Sequence, residues 1–266
     1  MTDIVEVYEH ANHRSWQHQS IISYLKSLGL PEYAIDSLMT AGRIESRQRG
    51  DIVSYGREWI HIITRGVIKE TTSHGTARLW RRGTILGDIS RVMLRKRTIN
   101  QQLDYWGTGP HITFLTTGVC LSLTARTFAG LIEKEPVLAL LLAQLTSDHS
   151  QTVESVYASS KADPRVRVAR LLEYLVVPSR LRDGTERIRW TRNGIHPVPE
   201  GAFTLTGPSQ ADIADALGLG RTTVEKAIAA LRAEGILNSL EPGTRSNRYY
   251  EIMDYSRLKS LARSDS

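Results

Sequence analysis

Arg221, Thr222, Glu225 and Lys226 lie within a six-residue stretch. Between them they carry a planar guanidinium, a hydroxyl, a carboxylate and an ammonium, the groups that hydrogen-bond to base edges. An arginine can donate two parallel bonds to O6 and N7 of guanine, which distinguishes that base from the other three. The spacing places these four on one face of a helix expected from about Arg221 to Ala233, because Val224, Ile228 and Leu231 recur as an apolar stripe on the other. A shorter helix precedes it. Ile213, Ala214 and Leu217 stand at helical spacing behind Pro208-Ser209, where Ser209 can cap the free N–H groups of the first turn. Gly218 breaks that pattern and accepts a left-handed turn at little cost. The whole stretch from Thr206 to Leu237, TGPSQADIADALGLGRTTVEKAIAALRAEGIL, reads as a helix–turn–helix whose second helix enters the major groove of DNA. The alternative, a helical hairpin inside a core, leaves the polar outer face without a purpose.

The rest of the chain must hold this pair in place. With 266 residues, 41% of them apolar, it can form two domains, each with its own core. Residues 17–40 read as helical: Ile21, Ile22, Leu25 and Leu28 precede Gly29, and Pro31 opens a second short element with Ile35 and Leu38. From about residue 50, short apolar runs are punctuated by glycine: Ile52–Tyr55, Trp59–Ile63, Val67–Lys69, Ala77–Trp80, then Ile112–Leu115 and Val119–Leu123. That rhythm indicates an antiparallel β-roll or barrel. Arg91–Gly109 interrupts it as a long loop. After Phe128 the helical period returns, and Pro136 suits a helix start. Leu138, Leu141, Leu142, Leu145, His149, Thr152 and Val156 form a seam spaced by three and four. A helix from Val137 to Ser159 is about 35 Å long at 1.5 Å per residue. Its seam is read as a dimer interface, with a core helix inside one domain as the other reading. Asp163 can cap a helix opening at Pro164 and carrying Val166, Ala169, Leu171, Leu172 and Leu175. Pro178 to Gly201 reads as a loop or hairpin. Ile236–Leu240 and Arg248–Ile252 read as two strands joined by a basic loop, a wing on which Arg245 and Arg248 can meet phosphates. The expected domains are therefore residues 1–135, a long helix at 136–160, and 161–266.

Charge and composition narrow the class. The net charge is +6, with 12 Lys/Arg against 4 Asp/Glu over residues 47–97 and 17 against 13 over residues 161–266. A basic C-terminal part suits phosphate contacts, the main source of sequence-independent affinity for DNA. The 47–97 block is either a solvated sheet face or a surface for anions or flanking DNA. No apolar run approaches the 18 or so residues of a membrane helix, and the first residues lack the basic start and apolar core of a signal peptide, so a cytoplasmic protein without a membrane partner is expected. The single cysteine, Cys120, excludes an internal disulfide and a four-cysteine cluster held by one chain. It reads as a core residue. His10, His13 and His18 do not have the spacing of a metal cage, so no metal site is expected. No Gly-x-Ser-x-Gly, His-Glu-x-x-His or Walker-type loop is present, and the chain offers no catalytic constellation. An enzyme with an appended winged helix would need such a motif before residue 160.

A glycine-punctuated roll, a long helix and a winged helix–turn–helix together resemble the cyclic-AMP receptor protein (Crp–Fnr) family of bacterial regulators. The resemblance spans roughly residues 20–255. It is most specific in ADPRVRVARLLEYL and SQADIADALGLGRTTVEKAIAALRAEGIL, and legible in WIHIITRGVIKE and RRGTILGDI. It implies an α+β protein: an N-terminal antiparallel β-roll like a cyclic-nucleotide-binding domain, a long dimerisation helix and a C-terminal winged helix–turn–helix. It also implies a homodimer on two-fold symmetric double-stranded DNA, with RNA polymerase as a further partner. Arg221 matches the family's guanine-reading arginine. Thr222 and Lys226 occupy reading positions where the family often has glutamate and arginine, so the preferred site differs. Glu225 joins the base-reading face, and Ser209, Gln210, Thr223, Arg245 and Arg248 are the expected phosphate contacts. Gly220 stands where the family has a serine cap.

The resemblance implies a possible effector pocket at Gly87, Asp88, Arg97 and Thr98. Members that bind cyclic nucleotides carry Gly-Glu and then Arg-Ser or Arg-Thr about ten residues later. Glutamate holds the ribose and arginine neutralises the phosphate. Here aspartate is one methylene shorter. The strand that should follow is displaced to Ile112–Leu115, leaving Gly109-Pro110 at the expected place of the arginine pair. No cofactor is therefore assigned, and cyclic nucleotide is the disfavoured candidate. The alternative function is an effector-independent regulator whose roll docks a protein partner or flanking DNA.

Overall fold

The computed structural model describes residues 17–54, 58–72, 75–87, 89, 92, 111–158, 161–176, 188–191, 194–197, 203–238 and 248–264. The chain divides into two compact units, Met1–Thr152 and Val153–Ser266.

The first unit opens on α1 (residues 17–27) and α2 (Glu32–Ala41). They bury Ile21 and Leu25, and Ala34, Ile35 and Leu38, respectively. Eight strands follow: β1 (Arg43–Arg47), β2 (Ile52–Ser54), β3 (Trp59–Arg65), β4 (Ile68–Thr71), β5 (Ala77–Trp80), β6 (Ile85–Gly87), β7 (His111–Phe114) and β8 (Gly118–Thr124). They divide between two four-stranded antiparallel sheets, ordered β1-β8-β3-β6 and β2-β7-β4-β5, which is the jelly-roll arrangement. The expected β-roll is present. One of its strands has no signature in the sequence, β1, the polar edge segment RIESR; β6, inside RRGTILGDI, is only three residues long.

Register explains the burial. In the first sheet Ile60 lies opposite Leu123 and Ile62 opposite Leu121. These four belong to the core shared with α1, α2 and the two helices that follow, α3 (Ala125–Lys134) and α4 (Val137–Thr152). On the other face of that sheet His61 lies opposite Ser122 and Ile63 opposite Cys120. Gly87 pairs with Ile60 at φ +124°, and a Cβ there would stand 2.3 Å from the Trp59 carbonyl oxygen. Only glycine allows β6 to lie this close to β3.

The second unit begins with a π-helical turn, Val153–Tyr157, closed by a 3.1 Å bond from the Ala158 N–H to the Val153 carbonyl. Next comes α5 (Pro164–Leu175), whose first turn is capped by Asp163 accepting from the Arg165 N–H at 2.7 Å. The hairpin β9 (Ile188–Thr191) and β10 (Gly194–Pro197) precedes β11 (Phe203–Thr206), α6 (Gln210–Leu217), α7 (Arg221–Ala233), β12 (Tyr249–Ile252) and α8 (Tyr255–Ala262). The wing is seen in part: the Asn238 N–H donates to the Glu251 carbonyl at 2.8 Å and the Met253 N–H to the Ile236 carbonyl at 2.9 Å, with Leu237 bridged to Ile252, while residues 239–247 lie outside the described residues. The main partner of β12 is β11, a four-residue strand beside a glycine- and proline-rich stretch that masks it in the sequence. α8 has no counterpart among the expected elements; it packs on α5.

Candidate nucleic-acid interface

α6 is held at both ends. The Ser209 hydroxyl accepts from the Asp212 N–H at 3.1 Å and donates to the Asp212 carboxylate at 2.6 Å, while the carboxylate accepts from the Ser209 N–H at 2.9 Å. This capping box satisfies donors that a helix start leaves open. Gly218 ends the helix at φ +60°, the left-handed turn that glycine adopts without a Cβ clash. Arg167, 8% exposed on α5, donates to the carbonyl oxygen of Leu217. A cation at the last carbonyls of a helix also meets the negative end of its dipole. Neither Arg167 nor the Arg165–Glu234 ion pair that ties α5 to the end of α7 stands out in the sequence. The only available signal is the presence of arginines within an otherwise apolar helix.

α7 buries Val224, Ile228 and Leu231 completely, at 0% exposure. Arg221, Thr222 and Lys226 are exposed on its first turns, and Glu225 and Thr223 are half-buried. The helix cap is Gly220, which supplies no side-chain bond. The four base-reading candidates therefore share one face. The Arg221 Nε–H donates to Glu225 Oε1 at 3.0 Å, and the two side chains are 64% and 43% exposed.

The phosphate candidates fare differently. Gln210 opens α6 and is half-buried. Ser209 is half-buried and its hydroxyl is occupied by Asp212. Arg248 is exposed and reaches the Gly207 carbonyl oxygen from Nη1 at 3.3 Å. Arg245 lies outside the described residues. So do Asp88, Arg97 and Thr98, leaving Gly87 as the one described member of the expected effector pocket. Its close approach to β3 already accounts for it.

The seam of α4 requires a correction. Leu138, Leu141, Leu142 and Leu145 are 0–3% exposed and belong to the core of their own unit. They pack with Ile21, Leu25 and the inner face of the first sheet, so a partner chain does not meet them. His149 also packs inward, its ring 4.2 Å from that of Trp80. Thr152 is half-buried, its hydroxyl bonded to the Asp148 carbonyl, and Val156 is buried within the π turn. The opposite face of α4 is exposed at Leu140, Ala143, Gln144, Ser147 and Gln151, with Leu140 at 71%. Exposed and buried positions cannot be told apart in the sequence because VLALLLAQL is apolar almost all round.

Other reactive groups sit in the roll. Cys120 is buried, and burial pushes its thiol up to about 11, so it stays protonated near neutral pH. His61 Nδ1 lies 2.8 Å from the Ser122 hydroxyl, and its Nε2 is buried with no hydrogen-bond partner. His18 lies on α1, while His10 and His13 fall outside the described residues. Among the described residues no group of three or more His, Cys, Asp or Glu is placed to hold a metal ion. No described helix is long and apolar enough to cross a membrane.

The chain carries, in order, a jelly-roll, a long helix and a helix–turn–helix, and comparisons with known proteins find the same elements. Residues 166–261 match the family model of the Crp-like helix–turn–helix domain. Among solved structures, a proposed cyclic nucleotide binding protein from Ruegeria pomeroyi aligns over 93% of this chain and 99% of its own, with 20% identity and a TM-score of 0.54. A mutant of CooA from Carboxydothermus hydrogenoformans aligns over 90% and 95%, with 17% identity and a TM-score of 0.54. A CRP/FNR-family transcriptional regulator from Thermus thermophilus aligns over 84% and 100%, with 21% identity and a TM-score of 0.53. No curated protein matches the chain. At these identities the solved structures carry the fold and not the roles of residues. Residues 166–261 are thus a Crp-like helix–turn–helix domain, and the chain as a whole shares its fold with solved CRP/FNR-family regulators.

Proposed function

We propose that the protein is a homodimeric regulator that places α7 of each protomer in one half-site of a two-fold symmetric operator, the half-sites about 34 Å apart. The observation that carries this reading is the division of α7: three apolar side chains at 0% exposure on one face, and Arg221, Thr222 and Lys226 exposed together on the other. Arg221 reads a guanine through O6 and N7. Thr222 and Lys226 set the neighbouring preferences. Gln210, Thr223, Arg245 and Arg248 hold phosphates, while Ser209, whose hydroxyl and N–H are both engaged by Asp212, serves as the cap of α6. Partner contact runs along the exposed face of α4 at Leu140. Contact with RNA polymerase belongs to this reading when the regulator activates. Such work places the protein in the cytoplasm, and it involves no catalysis.

A second reading concerns the roll. Where α4 meets the second sheet, the fully buried Trp80 ring fills the space against His149. A tryptophan committed to the long helix at this point supports an effector-independent regulator, whose sheet surfaces meet a protein partner or flanking DNA.

Selection of sites from a random DNA pool at about 0.15 M salt, with and without cyclic AMP, tests both readings. A palindromic site enriched without nucleotide supports DNA reading by an effector-independent dimer. Enrichment only with nucleotide overturns the second reading. With the selected site in hand, Arg221→Ala is expected to lose about 1–3 kcal/mol on it and to flatten the base preference. Equal losses on selected and random DNA would remove Arg221 from the reading face.

A further inference from the structure

Glu225 sits on the reading face, but its geometry differs from that of its neighbours. Its Oε1 accepts the inner Nε–H of Arg221 at 3.0 Å, one helical turn away. Guanidinium carries five N–H donors, and this contact uses the one nearest the stem. The four donors of the terminal fork take no part in it. Without a restraint, an arginine that is 64% exposed samples many rotamers, and its fork is rarely aimed at one base edge. The cap residue Gly220 has no side chain with which to supply that restraint.

Charge supplies the second half of the argument. A carboxylate that meets the major groove faces phosphates on both sides, and it weakens binding wherever it finds no cytosine N4–H donor. Its presence on this face is consistent with a gain in selectivity and not in affinity. We propose that Glu225 is a positioning residue: it fixes the Arg221 guanidinium through Nε, leaves Nη1 and Nη2 for O6 and N7 of one guanine, and does not itself read a base. The proposal rests on the reading that Arg221 contacts guanine, and it replaces the expectation that Glu225 belongs among the base readers.

The test compares full-length protein carrying no change, Glu225→Ala, Glu225→Gln, Arg221→Ala or both alanines. Each is titrated against the selected operator, the operator with each base pair of one half-site changed in turn, and random DNA. Loss of the guanine preference in Arg221→Ala establishes the reading on which the proposal stands. A preference that survives Arg221→Ala overturns that reading and the proposal with it. Given that loss, Glu225→Ala is expected to reduce the preference at the same guanine by about five- to tenfold, at the lower end of what a bidentate contact discriminates, while binding to random DNA tightens. Glu225→Gln, which still accepts an N–H, is expected to keep most of the preference. In the Arg221→Ala background, Glu225→Ala is expected to change no base preference. A changed preference at a different base pair in that background would make Glu225 a base reader and overturn the proposal. So would an unchanged guanine preference in Glu225→Ala, which would leave the pair as an ordinary surface contact.

Discussion

Trp80 and Glu70 are joined across the second sheet by a 2.7 Å hydrogen bond from the indole Nε1–H to the Glu70 carboxylate, both residues being buried. They stand diagonally on adjacent strands, β5 and β4: Trp80 lies opposite Ile68, and Glu70 opposite Arg78. A hydrogen bond to a charged group is worth about 1.5–3 kcal/mol. Trp80→Phe keeps an aromatic ring for His149 but removes the donor. It is expected to lower the unfolding free energy of the first unit by about that amount, read from the urea midpoint. An unchanged midpoint would show that Glu70 finds equal compensation elsewhere.

Acidification is expected to weaken the same unit. Burial holds the imidazoles of His61 and His149 below the ordinary value of about 6.5. Glu45 and Glu70 pull the two rings upward, and Arg47 and Arg78 add to the lowering. Between the lowered folded values and about 6.5, the unfolded chain takes up protons that the folded chain does not. The stability tied to the neutral rings is therefore complete above about pH 6.5 and is lost as pH falls through the folded values. Urea titrations between neutral and mildly acidic pH should show a steeper decline for the natural chain than for the His61→Gln/His149→Gln double variant. Parallel declines would place the acid sensitivity on carboxylates instead.

The caps of the helix pair give opposite expectations for two substitutions. Ser209→Ala removes the capping box of α6 and should cost about 1 kcal/mol. Gly220→Ser adds a capping oxygen to α7 at φ −67°, where a new Cβ meets Thr223 Oγ1 at an ordinary 3.6 Å. It should raise stability by a few tenths of a kcal/mol. Thermal melts of the two variants moving in the same direction would contradict the capping geometry.

The proposed dimerisation through the outer face of α4 makes Leu140 the sensitive position. Leu140→Glu should leave the fold intact, because the side chain is already 71% exposed, and should shift sedimentation equilibrium from dimer to monomer. Leu142→Ala, in contrast, opens a cavity in the core and should cost about 2–5 kcal/mol of stability. A Leu140→Glu protein that remains dimeric moves the interface elsewhere.

Particular residues show why parts of the molecule are legible in its sequence. Ser209, Gly218 and the stripe Val224, Ile228, Leu231 obey local rules, and local rules survive folding; the helix–turn–helix follows directly. The roll announces itself where glycines bracket β-branched runs. β1 does not, since RIESR gains its place from pairing Arg43–Arg47 with Gly118–Ser122, a partner about 75 residues away along the chain. The α4 seam fails for a related reason. Leucines at 138, 141, 142 and 145 declare that a face is buried and are silent about whether the covering surface belongs to the same chain. The same holds for Arg167, whose acceptor, the Leu217 carbonyl, is a backbone atom and leaves no mark in the sequence.

The stacked rings of Trp80 and His149 give the protein a built-in optical signal. Excited indole donates an electron readily to a protonated imidazole in face contact, so emission from this tryptophan dims as His149 takes up a proton. It also changes when α4 shifts on the roll and the 4.2 Å ring contact opens. Trp80 is one of five tryptophans, and the difference spectrum against Trp80→Phe isolates it. The seat of the long helix on the roll can thus be followed by fluorescence without attaching a dye.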